Sequence, residues 1–312
     1  MHPISRLLLV ATLSTSAGCA SAGSAPLPGA PTAGRAEWHE HASEAGARRY
    51  RLFLPSNLDA RSPAPLLVLL HGCTQDAEDF ARGTRFDALA DSAGVVLAYP
   101  EQTAAHHPQK CWSWYDPASP EPAIVAAITR DVMAQQPIDP ARVYVAGISA
   151  GGAMALNTAA AHPTLYAAVG VHSAVPYGAA SNVGEALAVM RAGPADDPLA
   201  DAARAVLDAG NRPALPLIAF HGAADAVVHP DNGRRLAEQW VIAAGAKDFL
   251  RHRETHGGLA VKRDVWGTLA ELWMVDAIAH AWSGGAAEGS YTDPRGPDAA
   301  REILRFLLAH RR

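Results

Sequence analysis

One serine stands between glycines in Val143-Tyr144-Val145-Ala146-Gly147-Ile148-Ser149-Ala150-Gly151-Gly152, where a β-branched apolar run stops and an alanine-rich run begins. Two readings fit. In the plainer one, a strand, a turn and a helix follow each other and Ser149 caps the helix. In the other the turn is a nucleophile elbow: Gly147 and Gly151 permit the close strand-to-helix approach of a sharp bend that holds the Ser149 hydroxyl out at its top. The strand-turn-helix context favours the elbow.

A serine hydroxyl is a poor nucleophile and needs a histidine to take its proton, with a carboxylate orienting that histidine. In strand-helix proteins with such an elbow the chain order is serine, acid, histidine. Asp225 follows an apolar run in Leu215-Pro216-Leu217-Ile218-Ala219-Phe220-His221-Gly222-Ala223-Ala224-Asp225. Asp231 reads as the N-cap of a helix, and Asp264 and Asp276 lie in or beside strand-like runs, so Asp225 is the candidate acid. Of the histidines that follow, His229, His252, His256, His280 and His310, His280 sits directly after the last long strand-like run and before the final helix. His229 would share a loop with Asp225, as a neighbour rather than a base facing Ser149. An oxyanion needs two backbone N–H groups aimed at it; Ala150, next to the serine, and Cys73 in His71-Gly72-Cys73-Thr74-Gln75 are the candidates, although that stretch also reads as a plain β-α turn.

The elements that must position these groups alternate. Ala64–Leu70, Gly94–Tyr99, Arg142–Gly147, Ala167–Val171, Leu215–Phe220 and Leu269–Val275 are short and continuously apolar, as strands buried on both faces are. Phe80–Ser92, Pro122–Met133, Ala150–His162, Asn232–Ala244 and Ala299–Ala309 have the helical rhythm. This alternation predicts an α/β fold with a mostly parallel, doubly wound sheet, in which reactive groups collect beyond the carboxyl ends of the strands. Arg48–Leu54 is expected at an antiparallel edge, and Pro176–Asn211 as an insertion with two short amphipathic helices that could cap the site.

The 312 residues carry a formal net charge of −5 with no basic stripe, which argues against nucleic acid as a partner. His39-Glu40-His41 and His106-His107 lack the spacing of a zinc protease and read as solvated histidines, so neither a metal nor a cofactor is expected. Met1–Arg6 is positively charged, Leu7–Leu13 is apolar, and small residues lead to Cys19. This is an export signal over 1–19. Its end, Leu13-Ser14-Thr15-Ser16-Ala17-Gly18-Cys19, resembles a lipobox that would lipidate Cys19 and tie the protein to the cell envelope; ordinary cleavage after Ala20-Ser21-Ala22, giving a secreted protein, is the alternative. Residues 20–36 read as a flexible tether and 37–312 as one catalytic domain. There are three cysteines, and an exported protein normally pairs those it keeps.

The motifs LLHGCTQ, YPEQ, CWSWY, GISAGGAMA, FHGAAD, HAWSGG and GSYTDPRGPDA occur in one order across about residues 45–312. Together they resemble the polyhydroxybutyrate depolymerase family of serine esterases, an α/β-hydrolase family related to feruloyl and acetylxylan esterases. The resemblance implies Ser149 as nucleophile, Asp225 as acid, His280 as base and Cys73 with Ala150 as oxyanion donors. It also implies a disulfide between Cys73 and Cys111, and Trp112 and Trp114 near the substrate groove, with Trp114 as a subsite wall. The expected reaction is hydrolysis of short hydroxyalkanoate esters or polyester oligomers through an acyl-enzyme. Feruloyl or acetylxylan esterase activity is the alternative, because the acyl pocket decides between them. A non-catalytic envelope lipoprotein is the reading from another class, and a prolyl-type peptidase would need an extra N-terminal domain. Secreted depolymerases that attack solid polymer commonly add a linker and a binding domain, whereas here the sequence stops.

Overall fold

In a computed structural model of the chain, residues 33–194 and 215–312 are described. The export signal, Cys19, most of the tether and the second helix expected in the insertion fall outside them.

Each continuous apolar run forms a strand because it has two faces to bury. In β3 (Ala64–Leu70), Leu66, Val68 and Leu70 enter one core and Leu67 and Leu69 the other. In β5 (Ile138–Ile148), Val143 and Val145 face the first core, and Tyr144, Ala146 and Ile148 the second. Burying one such leucine contributes roughly 1.5–3 kcal/mol, so the sheet is held between two layers of helices. Helices α3 (Glu121–Gln135) and α4 (Ala150–Ala161) pack on one face, and α1 (Ala77–Thr84), α2 (Phe86–Ala93) and the C-terminal helix on the other.

With β1 (Arg35–Ser43), β2 (Gly46–Leu54), β4 (Val96–Pro100), β6 (Ala168–His172), β7 (Leu217–Gly222), β8 (Leu250–His256), β9 (Leu259–Trp266) and β10 (Ala270–Val275), the sheet has the order β1-β2-β4-β3-β5-β6-β7-β10-β9-β8. The central run from β4 to β10 is parallel, and both ends are antiparallel. This is the α/β-hydrolase arrangement expected. The remaining elements are α5 (Val183–Ala192), α6 (Asp231–Ala243), the two-residue strands β11 (Trp282–Ser283) and β12 (Thr292–Asp293), and α7 (Ala299–Leu308).

Several boundaries differ from expectation. The tether ends before residue 35, because Arg35 and Ala36 pair with Leu54 and Phe53 in β1. Arg48–Leu54 is therefore second from the edge, with β1 outside it. The helix expected over Phe80–Ser92 is two helices meeting at Arg85, which takes a left-handed φ of 59°. Gly83 allows Gly289 to approach there, since a Cβ on Gly83 would lie 3.2 Å from Gly289 Cα. Asp231 is the first residue of α6, behind Pro230, and does not cap it. His41 is no solvated histidine: it is buried, with Nδ1 2.5 Å from Asp131 Oδ2.

Candidate active site

The elbow is built by β5 and α4. Ser149 has φ 56° and ψ −125°, a left-handed backbone that costs a non-glycine residue about 1–3 kcal/mol. The neighbouring glycines make the bend fit. A Cβ on Gly147 would lie 2.5 Å from the Gly151 carbonyl oxygen, and one on Gly151 would lie 2.2 Å from that of Leu70. The Ser149 N–H is taken by the His172 carbonyl at 2.9 Å, which ties the bend to β6. Ser149 does not act as a cap; no side-chain bond closes the N-terminus of α4.

Asp225 lies three residues beyond β7, where Gly222 lets the chain pass the Ile278 carbonyl; a Cβ there would stand 2.2 Å from that oxygen. Its side chain is fully buried yet well supplied with donors. Oδ1 accepts the Val227 and Val228 N–H groups at 2.9 and 2.8 Å, and Oδ2 lies 2.7 Å from His280 Nδ1. Burial alone would raise the carboxyl, but the His280 bond, that residue's charge and the Val228 amide outweigh it and hold Asp225 below the ordinary carboxylate range. Because the carboxylate only accepts, Nδ1 donates, and in the neutral ring Nε2 is the nitrogen that carries the lone pair. His221 stands behind the pair, Nε2 donating to Val228 O at 2.9 Å and lying 3.5 Å from Asp225 Oδ2. The His229 ring lies beside Asp231, Nδ1 3.6 Å from Oδ2.

The loop carrying His280 is pinned by a histidine that sequence reasoning did not single out. His172, at the end of β6, accepts the Ser283 N–H on Nε2 at 3.0 Å and stacks on Trp282 at 5.1 Å. Burial, with His221 and His280 nearby, pushes its imidazole down to about 3, so it stays neutral and can accept. Ser283 Oγ then donates to Pro297 O at 2.8 Å.

The His71–Gln75 loop is braced in the same manner. Gln75 Oε1 accepts the Gly72 N–H at 3.0 Å, and Nε2 donates to Ser290 O at 3.1 Å. The Thr74 N–H goes to Gln109 O at 2.7 Å, and Thr74 Oγ1 meets the Tyr291 hydroxyl at 3.0 Å. Cys73 and Cys111 are joined by a disulfide across 38 residues. Among the described residues no backbone carbonyl takes the Cys73 or Ala150 N–H. Gln75 lies three residues beyond the turn glycine His71-Gly72, which was the readable signal for its role.

Ser149, Cys73 and His280 open on one cavity of about 340 Å³. Trp114 and Tyr115 form part of its wall, while Val183, Leu187, Val227 and Tyr291, each 45–54 % exposed, form an apolar rim. Trp114 is held by Asn157, whose Nδ2 donates to its carbonyl at 2.7 Å. Trp112 is fully buried, its Nε1 donating to His71 O. His107 also lines the cavity, its Nδ1 accepting from the Cys111 N–H. Helix α5 contributes Val183 and Leu187, so the described part of the insertion borders the cavity.

The chain belongs to the family described as esterase PHB depolymerase, whose profile it matches over residues 48–258. Among curated relatives, poly(3-hydroxyalkanoate) depolymerase C of Paucimonas lemoignei is 30 % identical over 237 residues. That match covers 73 % of this chain and 56 % of the relative, so the chain spans little more than half of that protein's length. Acetylxylan esterase A of Emericella nidulans is 26 % identical over 249 residues, covering 74 % of this chain and 79 % of the relative. Among solved structures, an acetyl xylan esterase from Aspergillus awamori superimposes with a TM-score of 0.66 at 17 % identity, over 78 % of this chain and 94 % of that one.

Proposed function

We propose that this protein is a serine carboxylesterase that hydrolyses short hydroxyalkanoate esters or polyester oligomers through an acyl-enzyme. One observation carries the reading: His280 is oriented by Asp225 at 2.7 Å and opens on the cavity that also receives Ser149. In this scheme His280 Nε2 takes the Ser149 proton as Oγ attacks the ester carbonyl carbon. The carbonyl oxygen becomes an oxyanion facing the N–H groups of Cys73, in the loop after β3, and of Ala150, at the start of α4, whose dipole adds to the field. As the C–O bond breaks, His280 returns the proton to the leaving alcohol. Water then attacks the acyl-enzyme, His280 again taking and giving the proton, and the acid departs. Trp114 forms a wall of the substrate cavity.

The depolymerase relative supports a hydroxyalkanoate acyl group. The acetylxylan esterase relative supports a second reading, removal of acetyl from a carbohydrate, and feruloyl esters are the third acyl class to test. A ligand-binding lipoprotein without activity would have no use for the strained Ser149 and the His280–Asp225 pair together. Export is part of the reading, supported by the signal over 1–19 and by the disulfide. Lipidation of Cys19 would hold the enzyme at the envelope; a Cys19→Ser protein released from the membrane fraction is the expected result.

The direct test is labelling with a fluorophosphonate followed by peptide mass spectrometry. A single adduct on Ser149, absent from Ser149→Ala, is expected, together with acid release from hydroxybutyrate oligomers. An unlabelled Ser149 in folded protein would refute the catalytic reading.

A further inference from the structure

We propose that a recess beside Ser149, adjoining the main cavity, receives the acyl group and restricts the substrate to short aliphatic acyl esters of a bulkier alcohol. The inference rests on the catalytic reading above and sharpens it. The recess measures about 30 Å³ and is lined by Ser149 and Ala150, by Ala153 of α4, by Ala174 and Val175 after β6, and by Val228. Cys73, Trp114, Ser149 and Met190 line both spaces.

Proton transfer decides which part of the ester goes where. An alkoxide leaves only as it is protonated, so the alcohol oxygen must lie on the side of His280. His280 lines the main cavity and not the recess. The oxyanion takes the direction of the Cys73 and Ala150 N–H groups. Of the four substituents on the tetrahedral carbon, Oγ and the alcohol oxygen are thereby placed, and the oxyanion, at the Ala150 N–H, and the acyl carbon share the side of the recess, away from His280. The alcohol side opens on a space of about 340 Å³.

Size then selects the acid. A water-sized sphere needs about 10–15 Å³ of such space, so the recess holds a fragment of about two heavy atoms. An acetyl methyl fits. A 3-hydroxybutyryl group places its first carbon there and the rest against Trp114 and Met190, which line both spaces. A feruloyl ring, or an unbranched chain of eight carbons, exceeds the space, and the walls at Ala150, Ala153, Ala174, Val175 and Val228 are themselves buried. The recess therefore separates the acetyl and hydroxyalkanoyl readings from the feruloyl one.

The test uses 2-phenylethyl esters, whose alcohol requires protonation, of acetic, butyric, octanoic and ferulic acids. For the wild-type protein kcat/KM should fall at least tenfold from butyrate to octanoate and to ferulate, since one methylene too many in an apolar pocket costs roughly 10- to 200-fold. Met190→Ala should raise the octanoate-to-acetate ratio about tenfold. Ala153→Val should lower the butyrate-to-acetate ratio, with thermal unfolding confirming that both variants are folded. Equal rates across the series in the wild type, or an unchanged ratio in folded Met190→Ala, would overturn the recess while leaving the catalytic reading intact. Failure to hydrolyse any of the four esters, or p-nitrophenyl acetate, would instead bring down both.

Discussion

Gly151 faces Leu70 so closely that a Cβ added to it would stand 2.2 Å from the Leu70 carbonyl oxygen, and 2.4 Å from that of His71. Both oxygens are backbone of the strand end that starts the His71–Gln75 loop, so neither can swing aside as a side chain would. Gly151→Ala is expected to destabilise the fold by about 2 kcal/mol or more and to abolish esterase activity. Thermal unfolding and ester hydrolysis check this; wild-type values for both would contradict the packing argument.

Ser149→Ala and His280→Ala should each remove nearly all activity, with the double variant hardly worse than either, because the groups act as one unit. Asp225→Asn should cost on the order of 10⁴ in turnover by fixing the wrong tautomer of His280. Circular dichroism should show an unchanged fold in Ser149→Ala. Additive losses in the double variant would mean that the two residues do not share a step.

Opening the disulfide should do more than loosen the chain. Across 38 residues its removal costs roughly 2–4 kcal/mol. Cys73 is also a proposed oxyanion donor, and losing one such donor costs on the order of 10²–10³ in turnover. Cys111→Ala should thus lower kcat more than it raises KM at a temperature where the protein is folded. Wild-type kcat in that variant would reduce the bridge to a staple.

Stability should fall with acid well above the range where carboxylates titrate. In the fold His172 and His221 are driven down by burial to about 3 and about 4, whereas both titrate near 6.5 when unfolded. Below pH 6.5 the unfolded chain therefore takes up protons that the folded one refuses. Their contribution is fully present above that pH and is lost as pH drops toward about 4, at up to ~1.4 kcal/mol per pH unit for each. Urea unfolding at pH 7, 6 and 5 measures the slope, and His172→Gln should shrink it. A free energy that is flat from pH 7 to 5 would show that the two imidazoles are not held neutral.

The central sheet was legible because its strands are buried on both faces and so read as unbroken apolar runs. The outer strands were not. In β1, Arg-Ala-Glu-Trp-His-Glu-His-Ala-Ser has one neighbour and a largely exposed surface, so nothing forces an apolar rhythm on it. The hairpin of β8 and β9 is written in arginine, lysine and glutamate, as in Leu-Arg-His-Arg-Glu-Thr-His, which resists edge pairing and hides the strand. For the site, order along the chain sufficed to bring Asp225 to His280 and Ser149 to the same cavity. His172 escaped notice because its task, accepting the Ser283 N–H, depends on a contact 111 residues away. The wall of the recess was unreadable for the same reason, since Ala153, Val175, Met190 and Val228 meet only in space.

The ties from Gln75 to Ser290 and from Thr74 to Tyr291 join the loop of the proposed oxyanion donor Cys73 to the segment that follows His280, the proposed base. The two therefore form a single chassis, and a change on either side is transmitted to both halves of the reaction. Helix α5 buries only Ala186 and Val189 and contributes Val183, Leu187 and Met190 to the walls. New substrates can accordingly be reached by rewriting one surface helix, with the chemistry carried along unaltered, and random libraries aimed at α5 should yield changed acyl preference far more often than libraries aimed at residues 286–296.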